Sequence, residues 1–250
     1  MRLKLIACEI FYREMCDAVA RSSNTVDVEF LPKRLHDIGA AGMSARLREA
    51  LESVDEAKYE AVLFGYGLCS NGLVDLTARA IPLVIPRAHD CITLFLGSQD
   101  RYLDYFHSHP GVYFNTSGWI ERGQGTEVNG ADAMQHQLGM MQDYDALVAK
   151  YGEDNARFLQ EQLGDLTRNY SRLTFITMGV EPDDRFERQA KEEAATRGWK
   201  FEKIAGDMTL IRQLVDGPWS ADRFLVVPPG HCVAASFDAA ILKAIGTPKE

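Results

Sequence analysis

The chain has no hydrophobic run long enough to cross a membrane. None of its segments reaches the roughly 18 consecutive apolar residues of a transmembrane helix. The first residues, MRLKLIACEIFYREM, also lack the apolar stretch and the small-residue cleavage site of a secretory signal. We therefore expect a soluble, cytoplasmic protein that has no membrane partner.

Clusters of basic residues are lacking as well. The 27 lysine and arginine residues are interspersed with 36 acidic residues, and the formal net charge is −9. Because nucleic-acid affinity is built largely from clustered lysine and arginine, we expect no nucleic-acid partner. The chain also has no low-complexity segment, and its 46% hydrophobic content is that of an ordinary globular protein.

Cysteine is scarce, and its odd number argues against a full set of disulfides. The chain has five cysteines, and in a reducing cytoplasm scattered cysteines more often bind metal, act in catalysis or are buried than cross-linked. Four of them come where an apolar run gives way to a polar or glycine-rich turn: Cys8, Cys69, Cys91 and Cys232. Cys16 instead lies within a helical pattern, and we expect it in the core.

Short apolar runs alternate with helical patterns along the chain. We expect strands at Leu3–Ala7, Val26–Leu31, Tyr59–Phe64, Ile81–Ile85, Leu173–Thr177, Lys200–Ile204 and Phe224–Val227. We expect helices at 10–21, Ala41–Val54, Asp183–Arg197 and Leu210–Val215. This alternation is typical of an α/β protein whose parallel sheet is covered by helices on both faces.

The chain is predicted to have three parts. These are an N-terminal α/β lobe over residues 1–115, a loop and helical bridge over 116–170, and a C-terminal α/β lobe over 171–250. The two lobes are expected to be similar and Rossmann-like, because AVLFGYGLC at 61–69 aligns without gaps with FLVVPPGHC at 224–232. A duplication would place Cys69 and Cys232 at equivalent strand ends beside one cleft. A chance likeness between two buried strands is the alternative.

Two of the strand-end cysteines have a histidine within two residues. Thiolate and imidazole are ligands of zinc and of other transition metals that tolerate sulfur. We therefore expect a metal centre, with zinc favoured over another transition metal. The expected ligands are Cys69, Cys91 and Cys232 together with His89 or His231. The alternatives are a nucleophilic cysteine and small buried residues that have no chemical role.

Further residues near these turns are candidates for binding or catalysis. Glu9 follows Cys8 directly and is the carboxylate placed best for a general base, while Cys8 itself is a candidate for holding a cofactor. Ser70 and Asn71 are presented by the turn GYGLCSNG, which lacks the spacing of a nucleotide-binding loop. Arg87 is expected to hold a carboxylate or phosphate group, with a surface ion pair as the alternative.

The spacing of His89, Cys91 and the distant Cys232 resembles the zinc ligands of two families, the cobalamin-independent methionine synthases and the methylcobamide methyltransferases. In those families zinc lowers the pKa of a bound thiol so that the thiolate can accept a methyl group. The resemblance is confined to these three residues. It implies a methyl-transfer reaction at a thiolate and zinc site.

Longer motifs resemble, over most of the chain, an uncharacterised bacterial and archaeal family known as a domain of unknown function, number 1638 of that series. The motifs are ACEIFYREM, GYGLCSNGL, IPRAHDCITLFLGS, PGVYFNTSGWIERG and PPGHC. The family is associated with anaerobes, methanogens and corrinoid methyltransferase genes, which implies one-carbon chemistry and makes a corrinoid or a corrinoid protein a further candidate ligand or partner. The resemblance also implies that five residues form one site: Cys8, Cys69, His89, Cys91 and Cys232.

Three functions are compatible with these features. The first is a zinc-binding protein that transfers a methyl group to or from a small-molecule substrate. The second is a binding or accessory protein for a metal or a corrinoid, without turnover of its own. The third is a hydrolase or transferase with a nucleophilic cysteine, which requires one thiol of lowered pKa.

Overall fold

The computed structural model describes residues 1–33, 35–69, 71–122, 148–149, 151–163 and 169–246. Its strands are β1 (Arg2–Cys8), β2 (Thr25–Leu31), β3 (Ala61–Gly65), β4 (Leu83–Pro86), β5 (Val112–Thr116), β6 (Arg172–Thr177), β7 (Lys200–Ala205), β8 (Phe224–Val227), β9 (His231–Ala235) and β10 (Leu242–Gly246). Its α-helices are α1 (Tyr12–Arg21), α2 (Gly39–Glu52), α3 (Cys91–Leu96), α4 (Gln99–Ser108), α5 (Ser117–Glu121), α6 (Glu153–Leu163), α7 (Arg185–Thr196) and α8 (Thr209–Asp216). The predicted α/β class is confirmed. Within these ranges no helix has the length and apolar character needed to cross a bilayer.

The larger sheet has the strand order β2-β1-β3-β4-β8. Strands β2, β1, β3 and β4 are parallel, and β8 runs antiparallel at the edge. All residues of β3 and β4 are buried, as expected for strands covered on both faces. From β1 the chain passes to β2 on one side and then returns to β3 on the other, so a topological switch point lies between β1 and β3. Open α/β sheets bind ligands beyond the carboxyl ends of their strands at such a point.

A second sheet, of order β5-β6-β7, is parallel throughout. It is covered by α7, whose buried Phe186 packs in one apolar cluster with Phe175 of β6. Ile176 and Met178 belong instead to the core cluster that contains Leu5 of β1. The two sheets therefore share a core, and a cleft between them can draw residues from both.

The position of β8 differs from the prediction. We placed Phe224–Val227 in the C-terminal lobe, but this strand pairs with β4 of the larger sheet. Because β3 is an internal parallel strand and β8 an antiparallel edge strand, 61–69 and 224–232 do not hold equivalent positions. This pairing gives no support to a duplication, and the similarity of the two lobes stays a prediction. The three-part division of the chain stays a prediction, and most of the predicted bridge lies outside the described residues.

Two further elements were not expected. Strand β5 was not predicted, and it pairs with β6 of the second sheet. Helix α5 lies where we expected an irregular loop. Thr116 caps this helix, because its hydroxyl accepts a hydrogen bond from the Trp119 N–H at 3.1 Å. Strand β5 and helix α5 place residues beside the candidate site.

Candidate functional site

Three cysteines lie beyond neighbouring parallel strands at the switch point. Cys8 ends β1, Cys69 follows β3, and Cys91 follows β4 as the first residue of α3. All three line one small cavity of about 20 Å³, which has room for one water-sized group. Tyr66 lines the same cavity; it is 3% exposed, and its hydroxyl has no hydrogen-bond partner among the described residues. The cavity is thus small, and apart from the three thiols and the Tyr66 hydroxyl its lining is mainly apolar.

The loop after β3 is held against the loop after β4. The Cys69 N–H donates a hydrogen bond to the His89 carbonyl oxygen at 3.0 Å, which continues the pairing of the two strands. A Cβ atom at Gly67 would lie 2.8 Å from the Asp90 backbone, so only glycine allows this approach. The backbone positions of Cys69 and Cys91 are therefore fixed relative to each other.

The backbone of Cys69 is itself in an unfavourable conformation. Its φ of 38° lies in the left-handed region, which costs a non-glycine residue on the order of 1 kcal/mol. Burial has the largest effect on the pKa of its thiol and raises it, whereas the nearby backbone N–H groups of Gly67 and Cys91 lower that pKa. Local strain that the surrounding structure maintains is common at functional sites.

Asp90 fixes the start of α3 and hence the position of Cys91. Its Oδ1 accepts a hydrogen bond from the Ile92 N–H at 2.9 Å, as an N-cap residue does. Its Oδ2 accepts a hydrogen bond from the Tyr102 hydroxyl at 3.0 Å. Both oxygens of this carboxylate are therefore used, and Asp90 acts as a positioning residue for the loop.

Burial controls the ionisation of the three thiols. It raises the pKa of Cys8 and of Cys69 to about 12, and it raises the pKa of Cys91 well above its ordinary value. Repulsion between the developing thiolates raises the pKa of Cys69 and Cys91 further. All three thiols are therefore protonated at neutral pH, which weighs against a nucleophilic cysteine of lowered pKa. A bound cation would reverse this effect, because a metal deprotonates a coordinating thiol.

The thiols do not form a completed metal site in this conformation. In the part of the chain that the structure describes, no three histidine, cysteine, aspartate or glutamate side chains are arranged to hold one ion. The chemistry of the thiols fits a soft metal, and metal binding requires that they lose their protons. Binding would also require a change in the orientation of these side chains.

A larger pocket of about 330 Å³ adjoins the thiols. Cys69 and Cys91 line it from the first sheet, and Trp119 lines both this pocket and the small cavity. The second sheet and its flanking segments contribute several aromatic side chains, namely Tyr113, Phe114, Trp119 and Tyr170. A molecule in this pocket would lie beside two of the three thiols.

Two of the predicted ligands lie elsewhere. Cys232 is buried on β9, where it forms a β-bridge with Thr77, and His231 lies beside it with Nδ1 3.2 Å from the Pro229 oxygen. Neither residue lines the small cavity or the larger pocket. Because β8 is antiparallel, the residues that follow it emerge at the edge opposite the carboxyl ends of β1, β3 and β4. Cys16, which we expected in the core, is exposed on α1.

Arg87 donates hydrogen bonds to backbone carbonyl oxygens, and its predicted role in holding a cofactor stays a prediction. Its Nε donates a hydrogen bond to the Ala221 carbonyl oxygen at 2.8 Å, and its Nη1 donates to the carbonyl oxygens of Ala240, at 2.6 Å, and Leu242. It does not line either cavity. The guanidinium group therefore joins the segments before β8 and β10 to the loop after β4.

The remaining predicted residues differ in their relation to the site. One oxygen of the buried Glu9 carboxylate accepts a hydrogen bond from the Lys33 N–H at 2.8 Å, so this side chain anchors the segment after β2. His89 is exposed and lines the larger pocket. Asn71 is exposed in a turn with a φ of 64° and lines neither cavity. Ser70 lies outside the described residues. The role of Glu9 as a general base stays a prediction.

The comparison with protein families gives one match. A family model described as "Protein of unknown function (DUF1638)" matches residues 30–215, more than half of the chain. The chain belongs to this family. The matched region of the DUF1638 family contains Cys69, His89, Cys91 and the aromatic residues of the larger pocket, whereas Cys8 and Cys232 lie outside it. Neither the comparison with curated proteins nor that with solved structures finds a match.

Several residues of the site were missed in the sequence. Tyr66 lies in GYGLC between β3 and Cys69, and its place in a strand-end turn was the signal that could have identified it. Tyr113 and Trp119 belong to the aromatic segment PGVYFNTSGW, which begins with a Pro-Gly turn. Their place at the pocket depends on the pairing of β5 with β6, which are distant in the chain. Local sequence patterns do not reveal such pairings.

Proposed function

We propose that this protein is a cytoplasmic metal-binding protein that holds one thiophilic ion, with zinc favoured, through Cys8, Cys69 and Cys91. The observation that carries the proposal is that Cys8, Cys69 and Cys91 all line one small cavity of about 20 Å³ at the switch point. The unpartnered Tyr66 hydroxyl in the same cavity supports the presence of a polar occupant there. His231 and Cys232 are no longer among the proposed ligands.

The proposed reaction class is the transfer of a methyl group at a thiol. Three sulfur ligands leave one of the four tetrahedral positions of zinc for a substrate group, as in catalytic zinc sites. In that position zinc would lower the pKa of a substrate thiol, whose proton would pass to solvent. The resulting thiolate would accept a methyl group from a methylated donor, which would keep the electron pair of the broken bond. The larger pocket, at the lower end of the volume range of ligand sites, would hold the small-molecule substrate.

A corrinoid remains a proposal that rests on the family resemblance alone. The volume of the larger pocket, about 330 Å³, favours a small molecule over a complete corrinoid. A separate corrinoid protein is therefore the form in which we propose a corrinoid partner.

The metal content of the purified protein tests this proposal. Protein expressed without a histidine tag should contain close to one equivalent of zinc per chain by plasma mass spectrometry. Cys8→Ser, Cys69→Ser and Cys91→Ser should each lower the zinc content, because each removes a proposed ligand. Cys232→Ser and Cys16→Ser are the controls and should leave the zinc content unchanged.

Two results would contradict the metal proposal. One is less than about a tenth of an equivalent of any transition metal in the wild-type protein. The other is a loss of zinc in Cys232→Ser with full zinc content in Cys91→Ser. In either case the small cavity would be assigned to a water molecule hydrogen-bonded to the Tyr66 hydroxyl.

A second candidate is a metal-binding protein without turnover. Asp90 is the one carboxylate among the described residues that line the larger pocket, and both of its oxygens already accept hydrogen bonds. The described part of the pocket therefore offers no unengaged carboxylate base. A spectrum of the bound metal that indicates four protein ligands would favour the protein without turnover. A spectrum that indicates an exchangeable water ligand would favour the methyl-transfer enzyme.

A further inference from the structure

Two tyrosines form adjacent walls of the larger pocket. Tyr113 of β5 and Tyr170, which precedes β6, have ring centroids 5.5 Å apart and ring planes inclined at 75°. Trp199 packs against both rings, at 5.7 Å from Tyr113 and 5.8 Å from Tyr170. Trp199 supports both rings and does not itself line the pocket. The two tyrosines therefore form a corner whose geometry is set before a ligand binds.

The charge of the pocket favours a cation. No lysine or arginine is found among the described residues that line it, whereas the Asp90 carboxylate does line it. The faces of aromatic rings carry negative electrostatic potential and attract cations within about 6 Å. The net charge of −9 adds a general attraction for cations. A cation would therefore meet the ring faces, whereas an anion would find no lysine or arginine in the described lining.

One ring of the pocket already has a cation beside it. The Lys33 Nζ lies 4.8 Å from the centre of the Trp119 ring and donates a hydrogen bond to the Trp119 carbonyl oxygen at 2.9 Å. Lys33 is buried and lines neither pocket. Of the other aromatic rings in the lining, Phe114 packs against Tyr105 and Phe95 stacks on Phe11, whereas Tyr113 and Tyr170 form a pair within the pocket wall.

We propose that the larger pocket binds a small organic cation of the onium class, a methylated ammonium or sulfonium group, against the rings of Tyr113 and Tyr170. A compact onium group suits a pocket of about 330 Å³, and aromatic boxes are an established means of recognising such groups. The inference rests on the proposed function in one respect, namely that the pocket beside the thiols is the substrate site. It concerns binding alone and does not require bound metal.

Matched probes of equal shape test the charge preference directly. Choline and 3,3-dimethylbutan-1-ol have nearly the same shape, but only choline carries a charge, and 3,3-dimethylbutanoate is the anionic counterpart. Isothermal titration of metal-free protein should show that choline binds at least about tenfold more tightly than the alcohol, as expected for a desolvated cation–π contact. A parallel titration with trimethylsulfonium shows whether the pocket prefers a sulfonium or an ammonium group.

Variants of Tyr170 test whether the preference for a cation depends on the corner formed by Tyr113 and Tyr170. Tyr170→Leu should weaken choline binding at least about fivefold and change alcohol binding less than about twofold. Tyr170→Phe keeps the ring face and should retain the affinity for choline. Phe106→Leu is the control, because Phe106 is an exposed aromatic residue that does not line the pocket. Thermal unfolding of each variant verifies that it is folded.

Several results would overturn the inference. They are equal affinity for choline and the alcohol, tighter binding of the anion, an unchanged affinity for choline in Tyr170→Leu, or no choline binding up to ~10 mM. The zinc measurement is independent of these titrations. Full zinc content without choline binding would refute only the onium inference, whereas choline binding to protein that never contains metal would refute only the metal proposal.

Discussion

Glu14 gives the molecule a pH-dependent stability that can be calculated and measured. Its side chain lies on α1, is 0% exposed, and has no hydrogen-bond partner for either carboxylate oxygen among the described residues. Burial raises the pKa of Glu14 to about 8, and the nearby Glu181 carboxylate also raises it, while Arg13 lowers it. Glu14 is therefore largely protonated in the folded protein at neutral pH.

The direction of the effect follows from proton binding. An unfolded glutamate has a pKa near 4.5, so between that pH and about 8 the folded state binds more protons than the unfolded state. The contribution of Glu14 to stability is therefore full below about pH 4.5 and is lost as the pH rises toward 8. At 1.36 kcal/mol per pKa unit, the loss between pH 5 and pH 7.5 is about 3 kcal/mol.

Glu14→Gln tests this calculation, because glutamine resembles the protonated carboxyl group at every pH. The free energy of unfolding in urea should be measured at pH 5 and pH 7.5 for both proteins. The free energy of unfolding of Glu14→Gln minus that of wild type should be about 3 kcal/mol higher at pH 7.5 than at pH 5. Glu52→Gln, at an exposed position of α2, should show no such increase. A difference for Glu14→Gln that does not change with pH would refute the reasoning.

Two further predictions concern the thiols and Arg87. In native metal-free protein at pH 7.5, iodoacetamide should modify the exposed Cys16 first and the partly buried Cys8, Cys69 and Cys91 much more slowly, because burial raises the pKa of these three thiols and keeps them protonated. Peptide mass spectrometry measures this order, and rapid modification of Cys91 would contradict it. Arg87→Met should lower the free energy of unfolding by about 3 kcal/mol, because it leaves several carbonyl oxygens without their donor. The zinc content should not change, and a parallel loss of zinc would show that Arg87 belongs to the site.

The sequence predicted the elements of the larger sheet better than their arrangement. Apolar runs identified β1, β3 and β4, and the place of Cys69 and Cys91 just after two of these runs led us to expect that they lie together. Cys8 was assigned to the same site by the family resemblance alone. The reasoning used for Cys69 and Cys91 failed for Cys232. The run Phe224–Val227 was identified as a strand, but the antiparallel direction of β8 is set by its pairing with β4, which the pattern of the run does not encode.

The second sheet shows a different limit. Strand β5 has the short sequence VYFNT, whose polar end and following Ser-Gly resemble a loop. Its pairing with β6 joins segments that are far apart in the chain and places Tyr113 beside Tyr170. The aromatic corner therefore depends on a long-range contact, and no periodicity within either segment predicts it.

The cobalt-substituted protein provides the most direct test of the central claim, that Cys8, Cys69 and Cys91 form one metal site. Cobalt bound by thiolate sulfur gives charge-transfer absorption whose intensity follows the number of thiolates. We predict an intensity that corresponds to three thiolates, a reduction of about a third or more in Cys8→Ser, Cys69→Ser and Cys91→Ser, and no change in Cys232→Ser. Unchanged absorption in Cys91→Ser, or reduced absorption in Cys232→Ser, would contradict the account.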